Sequence, residues 1–587
     1  MSQKNQKIKP RWSILLAGAV LLQTIAGAGY AAYNGKSFIG TASAAESSAL
    51  PAATKDGVIF HAWNWSFDNI KANLPAIAAA GFKSIQTSPI QGNKEAATAG
   101  SNWWVLYQPT NFTIGNTQLG TREQFRQMNA EADKYGISII VDVVANHTGN
   151  AGGGNLTYTP ATNVDPTILN NQFFWHEKRG IENWDDRWQV TQWGIGLPDL
   201  NTSNQELQDK IIAFLNDAVA LGADGFRFDA AKHIELPEDP AGSNFWTRVL
   251  GSLNNKDKLY NYGEILQGGA DNIAGYANHM NVTASKYGEE VRLAVGFGGN
   301  VNVGLAQPFL AGNVNPSKLV TWVESHDTYA NDSSESTAMT DYQLKMGWAL
   351  IAARAQTTSL FFDRPAGTGK FGSNLGATGK GLWKDGDIIA VNKFHNAMAA
   401  EGEYLRTQGN QTMLIERGTK GMVIVNLGGN MQINSVTNMA NGTYTNKASG
   451  GGSFTVANGR ITGSLGAGKI AVLYNDPNTI ATPTPPAQNL VNVTFTIQNA
   501  TTVMGQNVYI SGSIPELGSW DVSKAIGPGS SASYPTWTVT AQLPAGTVVQ
   551  YKALKKDASG NVVWESGENR SYTVSASNPN ATFAFRP

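Results

Sequence analysis

The sequence predicts an α/β protein built on a closed (β/α)8 TIM barrel. An inserted subdomain follows the third strand, and an antiparallel β domain and a C-terminal β-sandwich module come after the barrel. Three observations carry this reading. From about Val58 to Asn396, short β-like runs alternate with amphipathic stretches, the pattern of a parallel sheet covered by helices. The ionisable residues of this region cluster at the C-terminal ends of the runs, where barrel active sites lie. No Gly-rich dinucleotide loop follows an early strand, which disfavours a doubly wound open sheet.

At the N-terminus, Lys4, Lys7, Lys9 and Arg11 precede the apolar run Ile14 to Ala28, and Ala42-Ser43-Ala44 offers small residues for cleavage. Residues 1–44 read as a secretory signal peptide, so the mature protein is expected outside the cell with no membrane segment. The barrel is expected over 55–395. Asn69 to Ala80 reads as a helix ending at Gly81, followed by the strand Phe82 to Gln86. Ile137 to Val144 is apolar apart from Ser138 and Asp142, and reads as a buried strand. Leu207, Ile211, Leu215 and Val219 form one stripe of a helix that Gly222 stops, and Ala223 to Asp229 is the next strand. Between them, 148–198 lapses into Gly, Asn, Thr and Trp without clear helices. That stretch is too long for a loop, so it reads as the inserted subdomain. Short β runs at 413–415, 421–425 and 470–473 predict an all-β domain over 396–475. Thr- and Pro-rich residues make 476–488 a linker, and 489–587 reads as a separate β module.

Composition narrows the function. Charged residues are 15% of the 587 and the formal net charge is −1, so nothing draws the chain to nucleic acid or anionic membrane. Cysteine is absent, which excludes disulfides, thiol catalysis and Cys-bound zinc. The 16 Trp supply flat apolar faces of the kind that stack on sugars, as well as ordinary core.

The most informative stretch is Gly225-Phe226-Arg227-Phe228-Asp229-Ala230-Ala231-Lys232-His233. Side chains alternate along a strand, so Phe226 and Phe228 face the helices while Arg227 and Asp229 face inward. Buried charges are costly unless paired, so an inward Arg–Asp pair suits a site better than a core. Glu264 and Asp327 end two further strand-like runs, giving three carboxylates suited to glycosidic bond cleavage. Asp229 is expected to be the nucleophile, held ionised by Arg227. Glu264, beside Ile265 and Leu266, is expected to stay protonated as the acid, and Asp327 to stabilise positive charge.

Four segments, Asp142 to His147, Gly225 to His233, Gly263 to Leu266 and Val323 to Asp327, resemble in order the short motifs of the α-amylase family, glycoside hydrolase family 13. Leu197-Pro198-Asp199-Leu200 resembles its fifth motif. Lys318 to Trp322 and Ser359 to Pro365 look like the bacterial saccharifying members. The resemblance implies retaining endo-hydrolysis of α-1,4-glucan, with starch and related oligosaccharides as partners of a monomer. Asp229 would be nucleophile, Glu264 acid/base and Asp327 transition-state stabiliser. His147, Arg227, Lys232 and His326 would bind substrate. Asn102 to Gln108 resembles the family's aromatic platform, with Trp103, Tyr107 and Gln108 against the sugar. Trp104, where relatives often carry Tyr, and Gly268, in place of a polar residue, depart from the pattern.

Asn146, Asp199 and His233 lie on three separate segments, and oxygen donors suit a hard cation, though scattered Asn and Asp more often form turns. The resemblance implies Ca2+ held by the side chains of Asn146 and Asp199 and the carbonyls of His233 and Thr191, tying the insertion to the barrel. In the C-terminal module, Val508 to Ser513, Leu517 to Trp520 and Trp564 to Arg570 look like family 20 starch-binding modules. That likeness implies a platform of Trp537 and Trp564 with hydrogen bonds from Lys552 and Asn569, Trp520 being either a second sugar site or packing. Two alternatives remain. A glucanotransferase is disfavoured because only a short linker precedes the module. A non-catalytic starch-binding protein is disfavoured by the intact acid set.

Overall fold

The computed structural model describes residues 50–475 and 490–587, apart from Gly154 and Asp332. The signal segment and the linker expected from the sequence lie outside the described residues. Eight strands close a parallel barrel: β1 (Val58–His61), β2 (Phe82–Gln86), β3 (Ser138–Val144), β4 (Gly225–Asp229), β5 (Tyr260–Gly263), β6 (Asn281–Thr283), β7 (Leu319–Trp322) and β8 (Thr358–Phe362). β1 pairs with both β2 and β8, through Ile59 opposite Ser84 and Leu360, which seals the ring.

Strand alternation divides the apolar side chains into two layers. Ile59, Ile140, Tyr262, Val320, Trp322, Leu360 and Phe362 fill the lumen. Phe60, Phe82, Val141, Phe226, Phe228 and Val282 point outward against the helices. Phe228, for example, meets Trp246 of the helix Phe245–Gly251 edge to face at 5.3 Å. The helix Gln205–Ala220 buries Leu207, Ile211, Leu215 and Val219, the stripe read from the sequence, and the Asn204 side chain caps it by accepting from two backbone N–H groups. Thr121 with Gln124, and Thr340 with Gln343, form capping boxes that start the helices Arg122–Lys134 and Asp341–Ala352. The last barrel helix, Gly386–Ala397, grips the end of the first helix: Asn392 donates to the Ala80 carbonyl and Asn396 to the Gly81 carbonyl, each at 2.9 Å.

The insertion leaves the barrel after β3. Its two ends are stitched together by an antiparallel bridge between His147 and Asp199 and by the Leu200 N–H on the Asn146 carbonyl at 2.9 Å. It is not free of helix, as the sequence suggested. Pro166–Leu169 and Arg187–Gln192 are helical, each started by an Asp side chain, but both are too short to show a hydrophobic period. Residues 403–474 form two four-stranded antiparallel sheets. In the C-terminal module, one sheet holds Ser530–Ser533, Thr536–Pro544, Leu490–Gln498 and Asn580–Ala584. The other holds Asn507–Gly512, Val548–Lys556, Val562–Trp564 and Arg570–Thr573.

Candidate active site

One guanidinium organises the mouth of the barrel. Arg227 sits opposite Asp142 in the β3–β4 register and opposite Tyr262 in the β4–β5 register. Its Nη1 donates to Asp142 Oδ1 and Oδ2 at 2.8 and 3.0 Å and to Asp229 Oδ1 at 2.7 Å. Its Nη2 lies 2.7 Å from Glu264 Oε1. Ala230 adopts φ +49° just past β4, and its N–H donates to Glu264 Oε2 at 2.9 Å. A left-handed alanine is strained, and here that turn hands a donor to the carboxylate. Asp327 lies in the first turn after β7, hydrogen-bonded to Glu264 and accepting from Asn331 at 3.0 Å. Asp229, Glu264 and Asp327 therefore meet in one place.

Burial governs the electrostatics of the acids. It pushes Asp229 up to about 7, while Arg227 pulls it toward the ionised form by charge and hydrogen bond and Glu264 opposes that pull. Burial pushes Asp142 up to about 7 as well. Glu264 is raised first by its own burial and further by Asp327, with Arg227 opposing. Of its apolar neighbours, Ile265 is buried in the core and the Leu266 side chain is 42% exposed. Asp327 is also raised by burial. Burial raises all four carboxyls while Arg227 opposes, an arrangement that favours holding a proton on the cluster, as an acid catalyst requires.

Aromatic residues line one side of the mouth. Tyr107 donates to Asp142 Oδ2 at 3.1 Å and stacks on His326 with ring centres 5.0 Å apart. Trp103 meets Tyr107, His326 and Trp63 at 5.6–6.0 Å. Gln108 accepts from the Asn150 N–H at 3.2 Å. His147 Nε2 faces the Tyr107 carbonyl at 3.0 Å and Asp229 Oδ2 at 4.0 Å, while its Nδ1 is buried without a protein partner. Burial lowers its pKa, with the hydrogen bond to Tyr107 and the nearby carboxylates opposing. Lys232 donates to the Leu266 and Gly268 carbonyls at 3.0 and 3.1 Å. Gly268 has φ +131°, a conformation that a polar side chain resists, and this accounts for the glycine at that position.

Sequence reasoning assigned no role to Asp142, His61 or Gln86. Asp142 carried a signal: it is the one carboxylate in an apolar strand, two residues from lumen-facing Ile140. Beneath the acids, His61, Gln86, Arg227, Tyr262, Glu264 and His326 line a cavity of about 20 Å³, room for a single water. Tyr262 hydrogen-bonds Gln86 on its floor.

The residues expected to hold a cation gather where the insertion meets the barrel. Asn146 Nδ2 donates to Asp199 Oδ1 at 3.0 Å, and Asp199 Oδ2 lies 2.7 Å from His176 Nδ1. His233 Nδ1 faces the Val190 carbonyl at 2.8 Å, beside Thr191, whose carbonyl accepts from Gln192. Asn146 Oδ1 is buried with no partner, an oxygen that a hard cation would satisfy. Among the described residues no three His, Asp or Glu side chains form a metal cluster, so a site here would combine the Asp199 carboxylate with amide and carbonyl oxygens.

In the C-terminal module the expected platform is corrected. Trp537 is 4% exposed, donates to the Ala500 carbonyl at 3.0 Å and packs in the core with Phe495 and Val539. It cannot present a face to sugar. Trp564 instead pairs with Trp520, centres 6.3 Å apart. Trp520 is held by three successive residues of positive φ, Gly518 to Trp520. Trp564 lies opposite Leu554, so Lys552, two residues from Leu554, shares its face of the sheet. Asn569 is exposed and donates to Gln550 at 3.2 Å.

A closed barrel whose carboxylates converge beyond the C-terminal ends of its strands defines this chain as a barrel enzyme. Residues 66–357 belong to the α-amylase family, matching the model of the alpha amylase catalytic domain, and residues 490–584 match that of the starch binding domain. An alpha-amylase of Clostridium acetobutylicum is 49% identical over 437 residues, 73% of this chain and 55% of that protein. An alpha-amylase of Butyrivibrio fibrisolvens is 37% identical over 490 residues, 72% of this chain and 49% of that protein. The chain thus spans about half the length of these relatives. A gamma-CGTase from alkalophilic Bacillus clarkii shares the fold at TM-score 0.58 and 18% identity, covering 91% of this chain and 99% of the other.

Proposed function

We propose that this protein is a secreted α-amylase that hydrolyses internal α-1,4 bonds of starch with retention, and that its C-terminal module attaches it to starch granules. The observation that carries the reading is the meeting of Asp229, Glu264 and Asp327 around Arg227. In the first step, Asp229 attacks the anomeric carbon as the glycosidic C–O bond breaks, and the Glu264 proton passes to the departing oxygen. In the second, Glu264 takes a proton from water, the water oxygen bonds to the anomeric carbon, and Asp229 leaves. Two carboxylates gripped by one guanidinium suit the retaining separation of about 5–5.5 Å better than the inverting one of about 6.5–9.5 Å. Asp327 and the Tyr107–His326 stack would steady the cationic ring between these steps.

Ca2+, when bound, would supply a structural tie and no chemistry to the sugar. Asn146 Oδ1, the Asp199 carboxylate and the carbonyls of Thr191 and His233 would hold it, joining the insertion to the barrel. In the module, Trp520 and Trp564 would form the platform, with Lys552 and Asn569 beside them. The test is the time course of oligosaccharides released from soluble starch by purified protein, with the anomer of the first products read by NMR. Early mixed α-anomeric oligosaccharides support the reading. Dominant cyclodextrins would assign a glucanotransferase instead, and β-anomers would refute retention.

A further inference from the structure

The mechanism leaves the far side of the acid undescribed, and an exposed tryptophan stands there. Trp184, in the insertion, is 48% exposed although its backbone is clamped. Its carbonyl accepts from the Ala270 N–H at 2.8 Å, and Gly269 approaches so closely that a Cβ there would lie 2.3 Å from the same oxygen. The ring stands edge-on to His233 at 5.8 Å, and the Lys232 ammonium lies 5.6 Å from its centre. Lys232 is in turn fixed to the carbonyls of Leu266 and Gly268, on the loop that begins at Glu264. An ammonium has three donors, and two are used here, leaving one for a hydroxyl. Leu266, two residues past the acid on that loop, is also exposed.

Glu264 protonates the leaving oxygen, so groups on its loop flank the departing part of the chain, whereas Tyr107 and His147 sit around the sugar that Asp229 attacks. We infer that Trp184 is a stacking platform for a glucose unit on the leaving side of the scissile bond, with Lys232 hydrogen-bonding its hydroxyls, so that cleavage favours glucans that extend past the acid. This rests on the glucan-hydrolase reading above. A rigid backbone carrying a half-open indole beside a positioned ammonium is how sugar rings are held, since the ring offers area at little entropic cost.

The test compares Trp184→Ala and Trp184→Phe with the parent on two substrates: maltoheptaose, and a nitrophenyl maltotrioside that carries no sugar on the leaving side. Trp184→Ala is expected to lower kcat/KM on maltoheptaose about tenfold, mainly through KM, and to leave the nitrophenyl substrate within about twofold. Trp184→Phe, which keeps a stacking face, should recover most of the loss. Equal losses on both substrates would show a merely structural role and overturn the inference, as would no loss on either. A parent protein that cleaves neither substrate would overturn the hydrolase reading itself.

Discussion

Replacing Arg227 by Met removes the cation shared by Asp142, Asp229 and Glu264 while keeping an unbranched apolar chain in the lumen. The guanidinium is 4% exposed, and its nitrogens lie within 3.0 Å of oxygens of all three carboxylates. Breaking a buried ion pair by deleting one partner costs about 3–5 kcal/mol, because the other charge is left uncompensated. At roughly 2 °C per kcal/mol for a large domain, melting should fall by about 6–10 °C. The sign with pH follows from the direction of the shifts. Asp142 and Asp229 already stand at about 7 with the arginine present, and its loss drives them higher. A carboxyl raised above its unfolded pKa of about 4 contributes stability that is full below that value and is lost as pH rises through the folded pKa. The deficit of Arg227→Met should therefore be small near pH 5 and largest above about pH 8. Calorimetric melts of parent and variant across that range measure it. A variant melting within about 2 °C of the parent at high pH, or a deficit that shrinks as pH rises, would refute the shared-cation account.

Glu264→Gln should lower turnover of starch by about 10²–10⁴-fold and Asp229→Asn by at least as much, both with granule binding unchanged; loss of binding in either would show that the module and the barrel are not independent. Adding Ca2+ at about 100 times its dissociation constant should stabilise the parent by about 2.7 kcal/mol, with the gain abolished in Asn146→Ala; an equal gain in both would remove Asn146 from the site. Trp520→Ala and Trp564→Ala should each weaken granule pull-down without changing the melting of the module. Trp537→Ala should instead destabilise the module by about 3–5 kcal/mol, and the opposite pattern would restore Trp537 to the platform.

Much of this was legible in the residues, because a barrel writes its chemistry at strand ends. The alternation of Phe226 and Phe228 with Arg227 and Asp229 fixed the outward and inward faces before any coordinate, and the order of Asp229, Glu264 and Asp327 along the chain indicated one mouth. The sharing of Arg227 was not legible, since it joins neighbours across three strands whose spacing the sequence does not encode. Glu264 owes its raised pKa first to burial in that crowded mouth and then to Asp327, with Arg227 opposing both. The burial of Trp537 is legible in its strand. Trp537 has the same parity as Val539, Ala541 and Leu543 along one strand, all buried, so period-two reading places it inside. Trp520 offered no such clue, because a turn of left-handed residues has no period. The short helices of the insertion escaped for a related reason: one turn is too little to repeat.

The seam of the barrel has a consequence for how the chain is made. Its first strand finds its second neighbour only in β8, and the grips of Asn392 and Asn396 on the end of the first helix span 312 and 315 residues. A ribosome adding about 5–20 residues per second needs roughly 15–60 s to cross that interval. Throughout it, β1 carries a bare row of amide and carbonyl groups open to mispairing with another nascent chain. The ring can shut only when β8 has emerged, so a fragment stopping short of residue 358 would carry an unsealed sheet.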